Sequence, residues 1–185
     1  MKTIEVEIQG VSPILMHRFS EQDRAQIEAG SSHTTARATP QEQAERAAYR
    51  LGGNGRANLY LPSQNLLASL RRAASYHKIG RRSAVTAVCA GVFISPDALD
   101  FGTSTFETDA RSVVIAATRG RVMRYRPKLS NWKLKFTLEF DEKIIPSGEL
   151  VRSIVDDAGS KVGVGDFRPE KRGSFGRFLV TLWEA

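Results

Sequence analysis

The residues whose types and spacing most suggest chemistry are the basic side chains of the segment 111–136. This segment carries eight of them and no acidic residue. Like charges at this density repel one another, and a bound polyanion would relieve the repulsion while counterions are released. Tyr125 and Trp132 lie among them and could stack on bases. The alternative is a solvated, exposed hairpin. The eight residues are Arg111, Arg119, Arg121, Arg124, Arg126, Lys128, Lys133 and Lys135.

A second basic cluster lies on a predicted helix and just beyond its end. Arg71 and Arg72 fall on the polar face of this helix, and Arg81 and Arg82 follow its last residue. Such side chains could hold phosphates. Every surface helix also needs a polar face, so this cluster alone favours neither interpretation.

The third feature is the glycine-rich loop GVGDFRPEKRGSFGRF, residues 163–178. Its glycines permit positive φ and a close approach of the backbone to a ligand. Its basic residues could meet phosphates, and Phe167 and Phe175 could stack on bases. The alternative is a helix-to-strand connection whose Phe residues fill the core, which is the preferred interpretation for Phe178. The glycines are Gly163, Gly165, Gly173 and Gly176, and the basic residues are Arg168, Lys171, Arg172 and Arg177.

The histidines do not form a catalytic or metal-binding pattern. The chain has three of them, His17, His33 and His77, and none has another His, Cys, Asp or Glu at metal-ligand spacing. We therefore predict no metal, no cofactor and no catalytic residue. The alternative is that His17 acts as a general base with Arg18 or Tyr76 nearby.

The composition indicates one domain, 1–185, that works in the cytoplasm. Apolar residues make up 41% of the chain, enough for a core. The 27 Lys and Arg exceed the 20 Asp and Glu by a net charge of +7, which favours an anionic partner, nucleic acid ahead of membrane. The single Cys89 lies in an apolar run, so we expect a buried thiol and a reducing compartment. No apolar run approaches the roughly 18 residues that span a membrane.

Hydrophobic periodicity predicts the elements that must position these residues. Alternation predicts a first strand ending at Gly10 and a strand over 132–141, and 178–183 is the last strand. Apolar stripes predict a helix over 64–78 capped by Ser63 and another capped by Ser147. An apolar run over 84–95 predicts a buried strand. A capping box at Thr39 begins a short helix over 40–50, after a mobile loop over 20–38, and 96–131 forms an inserted basic hairpin.

The order strand, helix, strand, strand, helix, strand predicts the α+β class. More narrowly, it predicts a ferredoxin-like or RNA-recognition-motif core, with an antiparallel sheet and helices on one face. RNA-recognition motifs bind RNA through the open face of such a sheet.

Three segments together resemble the RAMP superfamily, the repeat-associated proteins of CRISPR systems. They are LYLPSQNLLASLRRA, RYRPKLSNWKLKFTLEF and VGVGDFRPEKRGSFGRFLV. The chain is similar to a minimal form of the backbone subunit that lines guide RNA in CRISPR effector complexes, and also to small proteins encoded by phages and prophages. The resemblance implies subunits stacked head to tail into a helical filament on single-stranded nucleic acid. Arg71 and Arg72 would hold phosphates, the Gly163–Gly176 loop would touch the strand or the next subunit, and the basic stretch 111–128 would be a thumb.

We therefore expect a protein that binds the backbone of single-stranded RNA or DNA with little sequence preference and forms a homo-oligomer along it. Other nucleoprotein subunits could join, and no membrane is expected. Two alternatives remain: a metal-independent RAMP-type endoribonuclease, and a non-catalytic adaptor that binds an acidic protein partner.

Overall fold

The computed structural model describes residues 1–19, 38–53, 56–114 and 120–184, and these contain eleven strands and four α-helices. The strands are β1 (Lys2–Gly10), β2 (Ile14–Leu15), β3 (Tyr60–Pro62), β4 (Lys78–Ile79), β5 (Arg82–Ser83), β6 (Val92–Ser95), β7 (Ala98–Asp100), β8 (Glu107–Val114), β9 (Arg121–Leu129), β10 (Lys133–Phe140) and β11 (Phe178–Glu184). The helices are α1 (Pro40–Arg46), α2 (Ser63–Ala73), α3 (Val85–Gly91) and α4 (Gly148–Asp157). The predicted α+β class is confirmed. The predicted mobile loop, except Ala38, lies outside the described residues, and so does Arg119.

The central sheet has four antiparallel strands in the order β11-β1-β10-β6. The alternation seen in the sequence reflects one buried and one outward face. In β1 the buried side chains are Ile4, Val6 and Ile8, and in β10 they are Leu134, Phe136, Leu138 and Phe140. The predicted first strand, the strand over 132–141 and the last strand are therefore confirmed.

Helices α2 and α4 cover the buried face of this sheet. Leu66 and Leu70 of α2, and Val151, Ile154 and Val155 of α4, belong to the same buried cluster as the sheet's inward side chains. Both helices have the apolar stripe that such a position requires. The cap of α4 is confirmed, because the Ser147 hydroxyl accepts a hydrogen bond from the Leu150 N–H at 3.2 Å.

Three predictions about these helical regions are wrong. Ser63 does not cap α2: Pro62 stands at the cap position, and Ser63 is the first helical residue and is buried. The predicted strand over 84–95 begins only at Val92, because 85–91 is helix α3. Ala84, Val88 and Gly91 are buried at helical spacing, and Cys89 is exposed rather than buried.

A long hairpin, β8 and β9, projects within the segment predicted to hold an insertion. Its register pairs Glu107 with Lys128 and Val114 with Arg121. The first part of the predicted insertion is not part of this hairpin, because β7 pairs with β3 instead. The base of the hairpin is held by β2, which pairs with β9, and by α1, where the Gln41 side-chain oxygen accepts a hydrogen bond from the Thr108 hydroxyl at 2.8 Å.

Helix α1 begins with the predicted capping box. The Thr39 hydroxyl accepts from the Glu42 N–H, and the Glu42 carboxylate accepts from the Thr39 N–H at 2.7 Å. This reciprocal pair lowers the pKa of Glu42. None of the helices in the described ranges combines the length and apolar character needed to cross a membrane.

Candidate nucleic-acid interface

The glycine-rich loop joins two parts of the molecule that carry basic residues. On one side it contacts α2, where the Ser69 hydroxyl donates to the Gly163 carbonyl at 2.9 Å. On the other side it pairs with β2, because the Asp166 N–H donates to the Leu15 carbonyl at 2.8 Å. It is also closed on itself, since the Val164 N–H donates to the Gly176 carbonyl at 2.9 Å. The loop therefore has a fixed position between the helix and the base of the hairpin.

The four predicted glycines allow this loop to fold against the protein itself. A Cβ on any of them would lie within 3.0 Å of another atom of the chain. At Gly165 that atom is the Leu15 carbonyl oxygen, and at Gly176 it is the Val164 carbonyl oxygen; at Gly163 and Gly173 it belongs to Pro169 and Phe167. Internal packing thus accounts for these glycines, and a close approach to a ligand stays a prediction.

The carboxylate of Asp166 contacts the loop, the hairpin and the segment that follows β2. Its Oδ2 lies 3.3 Å from His17 Nδ1 and 3.0 Å from Arg126 Nε. Its Oδ1 accepts from the Phe167 N–H at 2.8 Å. The hydrogen bond from His17, followed by the charge of Arg126, lowers the pKa of Asp166 against an opposing effect of burial. Asp166 is therefore ionised at neutral pH.

Arg126 is held mainly by charge. Its side chain is 12% exposed, and its buried Nε–H has no well-aligned hydrogen-bond acceptor among the described residues. The contact with Asp166 is therefore close enough for an ion pair, but the Nε–H does not point at the carboxylate and makes no hydrogen bond to it. Such a buried donor costs free energy until an acceptor reaches it.

The α2 side of the loop carries a chain of ion pairs. Arg72 Nε lies 3.4 Å from the Glu170 carboxylate, which also accepts from Arg168 at 2.7 Å. Arg168 donates in addition to the Gly165 carbonyl at 3.0 Å. The Nε of Arg71 is buried and has no hydrogen-bond partner within the described residues.

The hairpin side brings Arg111 onto the two loop aromatics. Its guanidinium lies 4.6 Å from the ring centre of Phe175 and 5.6 Å from that of Phe167, a cation–π arrangement. Phe175 is 8% exposed, so its ring is not open for base stacking. Phe167 is 38% exposed and has a positive φ of 50°, so one predicted stacking residue remains accessible. Arg124 stands opposite Arg111 in the strand register.

We call the surface formed by these contacts the basic band. It has seven cations and three carboxylates, so positive charge is in excess. Within the described residues, no ion pair holds Arg124, Lys171 or Arg172. The cations are Arg72, Arg111, Arg124, Arg126, Arg168, Lys171 and Arg172, and the carboxylates are Asp109, Asp166 and Glu170.

The premise that the basic segment 111–136 lacks counter-charges is wrong. Five of its eight basic residues lie within 4.0 Å of a carboxylate supplied by another part of the chain or by β8. Glu7 pairs with two lysines. Hydrogen bonds, above all from the Thr181 hydroxyl to Glu7 and from Lys128 to Glu107, lower the pKa of both carboxylates, and the lysine charges lower it further. The pairs are Arg111–Asp109, Arg126–Asp166, Lys128–Glu107, Lys133–Glu7 and Lys135–Glu7.

A cleft of about 350 Å³ opens beside the basic band. Helix α2 contributes Asn65 and Ala68, and the loop contributes Asp166 and Arg168. His17 stands at its edge with the side chain half exposed. The remaining described lining residues are Leu15, Met16, Phe19, Tyr49, Leu61 and Gly165. Sequence reasoning singled out His17 and Arg168 but missed Asp166, Asn65 and Tyr49, which only the fold brings together.

Neither protein-family models nor curated protein sequences give a match to this chain.

The open face of the central sheet is a poor surface for a polyanion. The outward side chains of β1 and β10 include Glu5, Glu7 and Glu139 against Lys133 and Lys135. No aromatic side chain projects from this face of the two central strands β1 and β10; on the edge strand β6, Phe93 does, and it is 51% exposed. An RNA-recognition motif stacks bases on aromatics at this place. The structure thus favours the basic band over the sheet face as the candidate interface.

The other residues predicted to bind nucleic acid either lie away from the basic band or are buried in contacts within the protein. Arg81 and Arg82 lie in the β4–β5 turn, Arg121 lies at the far end of the hairpin, and Arg177 is exposed just before β11. Tyr125 faces away from the charged side of the hairpin. Trp132 is not available for stacking, because it is 4% exposed and its Nε1 donates to the Ser12 carbonyl at 2.9 Å. Phe178 is buried, as predicted.

Metal chemistry has no candidate among the described residues. They contain no group of three or more His, Cys, Asp or Glu side chains that could hold a metal ion. His77 pairs with Asp157 at 3.0 Å, and Lys161 shares the same carboxylate at 2.8 Å.

Proposed function

We propose that this chain binds the phosphate backbone of single-stranded RNA or DNA through the basic band and forms a homo-oligomer along the strand. The observation that carries the proposal is that basic residues of α2 and of the hairpin, which are distant in sequence, converge on the basic glycine-rich loop. Seven cations there face three carboxylates, and Arg124, Lys171 and Arg172 have no carboxylate partner within the described residues. Cations that neutralise phosphates release counterions, which favours binding without reading sequence. We infer a non-catalytic protein of the cytoplasm.

We further propose a ferredoxin-like or RNA-recognition-motif core with a thumb-like hairpin. The strand order β11-β1-β10-β6 supports this, because α2 lies between β1 and β6 in sequence and α4 lies between β10 and β11. Membership of the RAMP superfamily is part of the same proposal and rests on sequence resemblance. The basic band departs from RNA-recognition motifs in lying off the sheet face.

The proposal predicts binding that depends on strand length. With fluorescent single strands of RNA and DNA, we expect affinity to rise with length, sigmoidal titrations on long strands, and a steep loss of affinity with salt. Negative-stain images of the same samples should show filaments. Equal affinity for short and long strands would contradict coating. Absence of binding to either strand at low salt would favour an acidic protein partner instead.

The His17–Asp166 pair favours a second candidate function, a metal-independent endoribonuclease. A carboxylate at Nδ1 fixes the imidazole tautomer and leaves Nε2 as a proton acceptor, as in other His–Asp arrangements. Arg126 contacts the same carboxylate and Arg168 lines the same cleft, and both could stabilise charge on a phosphate.

This candidate predicts cleavage that survives metal chelation and is lost in His17→Ala. The readout is the fragment pattern of a labelled RNA incubated with excess EDTA. His77→Ala is the matched control, because His77 also pairs with an aspartate but does not line the cleft. RNA that stays intact with the wild-type protein would remove the nuclease candidate and leave the binding proposal standing.

A further inference from the structure

The cleft beside the basic band has the size of a small-ligand site. Its volume of about 350 Å³ is near the lower end of such sites, which span roughly 300–1,000 Å³. A peptide helix or a folded partner would need a longer groove. A single nucleoside is a ligand of suitable size.

The walls of the cleft offer flat apolar surface with a few polar atoms. Phe19 is 57% exposed and makes no ring contact with another described aromatic. Tyr49, the other aromatic wall, is steadied by an edge-on contact with Tyr60 at 5.6 Å. Unstacked bases bind proteins by stacking on such rings and by hydrogen bonds at their edges. Asn65 supplies an amide for such a bond.

Charge separates the inside of the cleft from its rim. Inside the cleft the carboxylate of Asp166 is balanced by the guanidinium of Arg168, which lines the same cleft, so the interior offers a phosphate no net attraction. Further cations of the basic band, among them Arg72 and Lys171, lie outside the lining and give the rim its excess of positive charge. The neutral part of a nucleotide therefore suits the cleft, while its phosphate suits the basic band.

We infer that the cleft holds one unstacked nucleobase of the strand whose phosphates lie along the basic band. This inference rests on the proposed function and deepens it: binding would be independent of sequence but not of the presence of bases. The basic band and the cleft share Asp166 and Arg168, so a phosphate and its base can occupy both at once.

The test compares a base-bearing single strand with an abasic strand of equal length. The wild-type protein should bind the base-bearing strand about tenfold more tightly, which corresponds to ~1.4 kcal/mol and lies within the range for stacking on aromatics. Ala68→Phe should remove this preference by filling the cleft and leave affinity for the abasic strand unchanged. Ala68 is exposed on α2, so the larger side chain does not enter the core. Gln64→Phe, also exposed on α2 but outside the cleft, is the matched control and should keep the preference.

The outcomes separate the inference from the proposed function. Equal wild-type affinity for both strands, or a full preference retained in Ala68→Phe, overturns the cleft inference while backbone binding stands. No wild-type binding to either strand overturns both. If Ala68→Phe weakens both strands equally, Phe19→Ala decides: a loss of about fivefold confined to the base-bearing strand supports the inference, and an unchanged preference overturns it.

Discussion

A variant that combines Arg124→Ala with Lys171→Ala is expected to bind single strands roughly 60-fold more weakly than the wild type at ~50 mM salt, and about tenfold more weakly at ~0.2 M. Each lost phosphate contact reduces the salt exponent by about 0.7 for a single strand, so two contacts reduce it by about 1.4. If the variant and the wild type bind equally at ~1 M salt, a difference of about 1.4 in the salt exponent gives both values. Both side chains are exposed and have no ion pair within the described residues, so the fold should be unaffected.

The measurement is fluorescence anisotropy over a series of salt concentrations, which gives affinity and salt slope together. The matched control is Lys2→Ala with Lys143→Ala, two exposed lysines outside the basic band, which remove the same net charge. The control should bind within about twofold of the wild type at ~0.2 M salt. Equal losses in both double variants would indicate attraction by net charge alone. No loss in the first would place the interface elsewhere.

The elements that sequence predicted well are those whose signals are local. Strands β1 and β10 alternate because one face of the sheet is buried, and the capping box at Thr39 and the cap at Ser147 each involve residues three apart. Helix α3 was mistaken for a strand, since a run of small and β-branched apolar residues suits a buried strand as well as a short helix. Only the folded structure distinguishes the two, because it shows Ala84, Val88 and Gly91 buried at the spacing of a helix.

The candidate site could be predicted only in part, because its contacts join distant residues. The basic clusters were visible in sequence, but their counter-charges were not: Arg126 meets Asp166, and Lys133 meets Glu7 across the sheet. His17 and Asp166 are separated by 149 positions, so no spacing rule links them. The glycines indicated an unusual loop, yet not whether a ligand or the chain itself fills the adjoining space.

Gly176→Ala is expected to lower the free energy of unfolding by about 3–4 kcal/mol. The residue has a φ of 70°, where an Ala costs ~1–2 kcal/mol. Its Cβ would also lie within 3.0 Å of the Val164 carbonyl oxygen, a backbone atom that cannot rotate away. To remove this clash, Gly176 must move away from Val164. The movement weakens the hydrogen bonds from the Val164 N–H to the Gly176 carbonyl at 2.9 Å and from the Gly176 N–H to the Pro13 carbonyl at 2.7 Å, each worth about 1 kcal/mol.

The control is Gly102→Ala, which has the same φ of 70° but nothing within 4 Å of the added Cβ. It should cost only the backbone component, ~1–2 kcal/mol, so the difference between the two variants in urea unfolding measures the close packing of the loop. Because the same loop holds Arg168 and Lys171, a folded Gly176→Ala protein should also bind strands more weakly, whereas Gly102→Ala should not. Equal destabilisation by the two substitutions would show that the loop moves easily to make room for the added Cβ. A rigid loop between α2 and the hairpin would then not be what brings the residues of the basic band together.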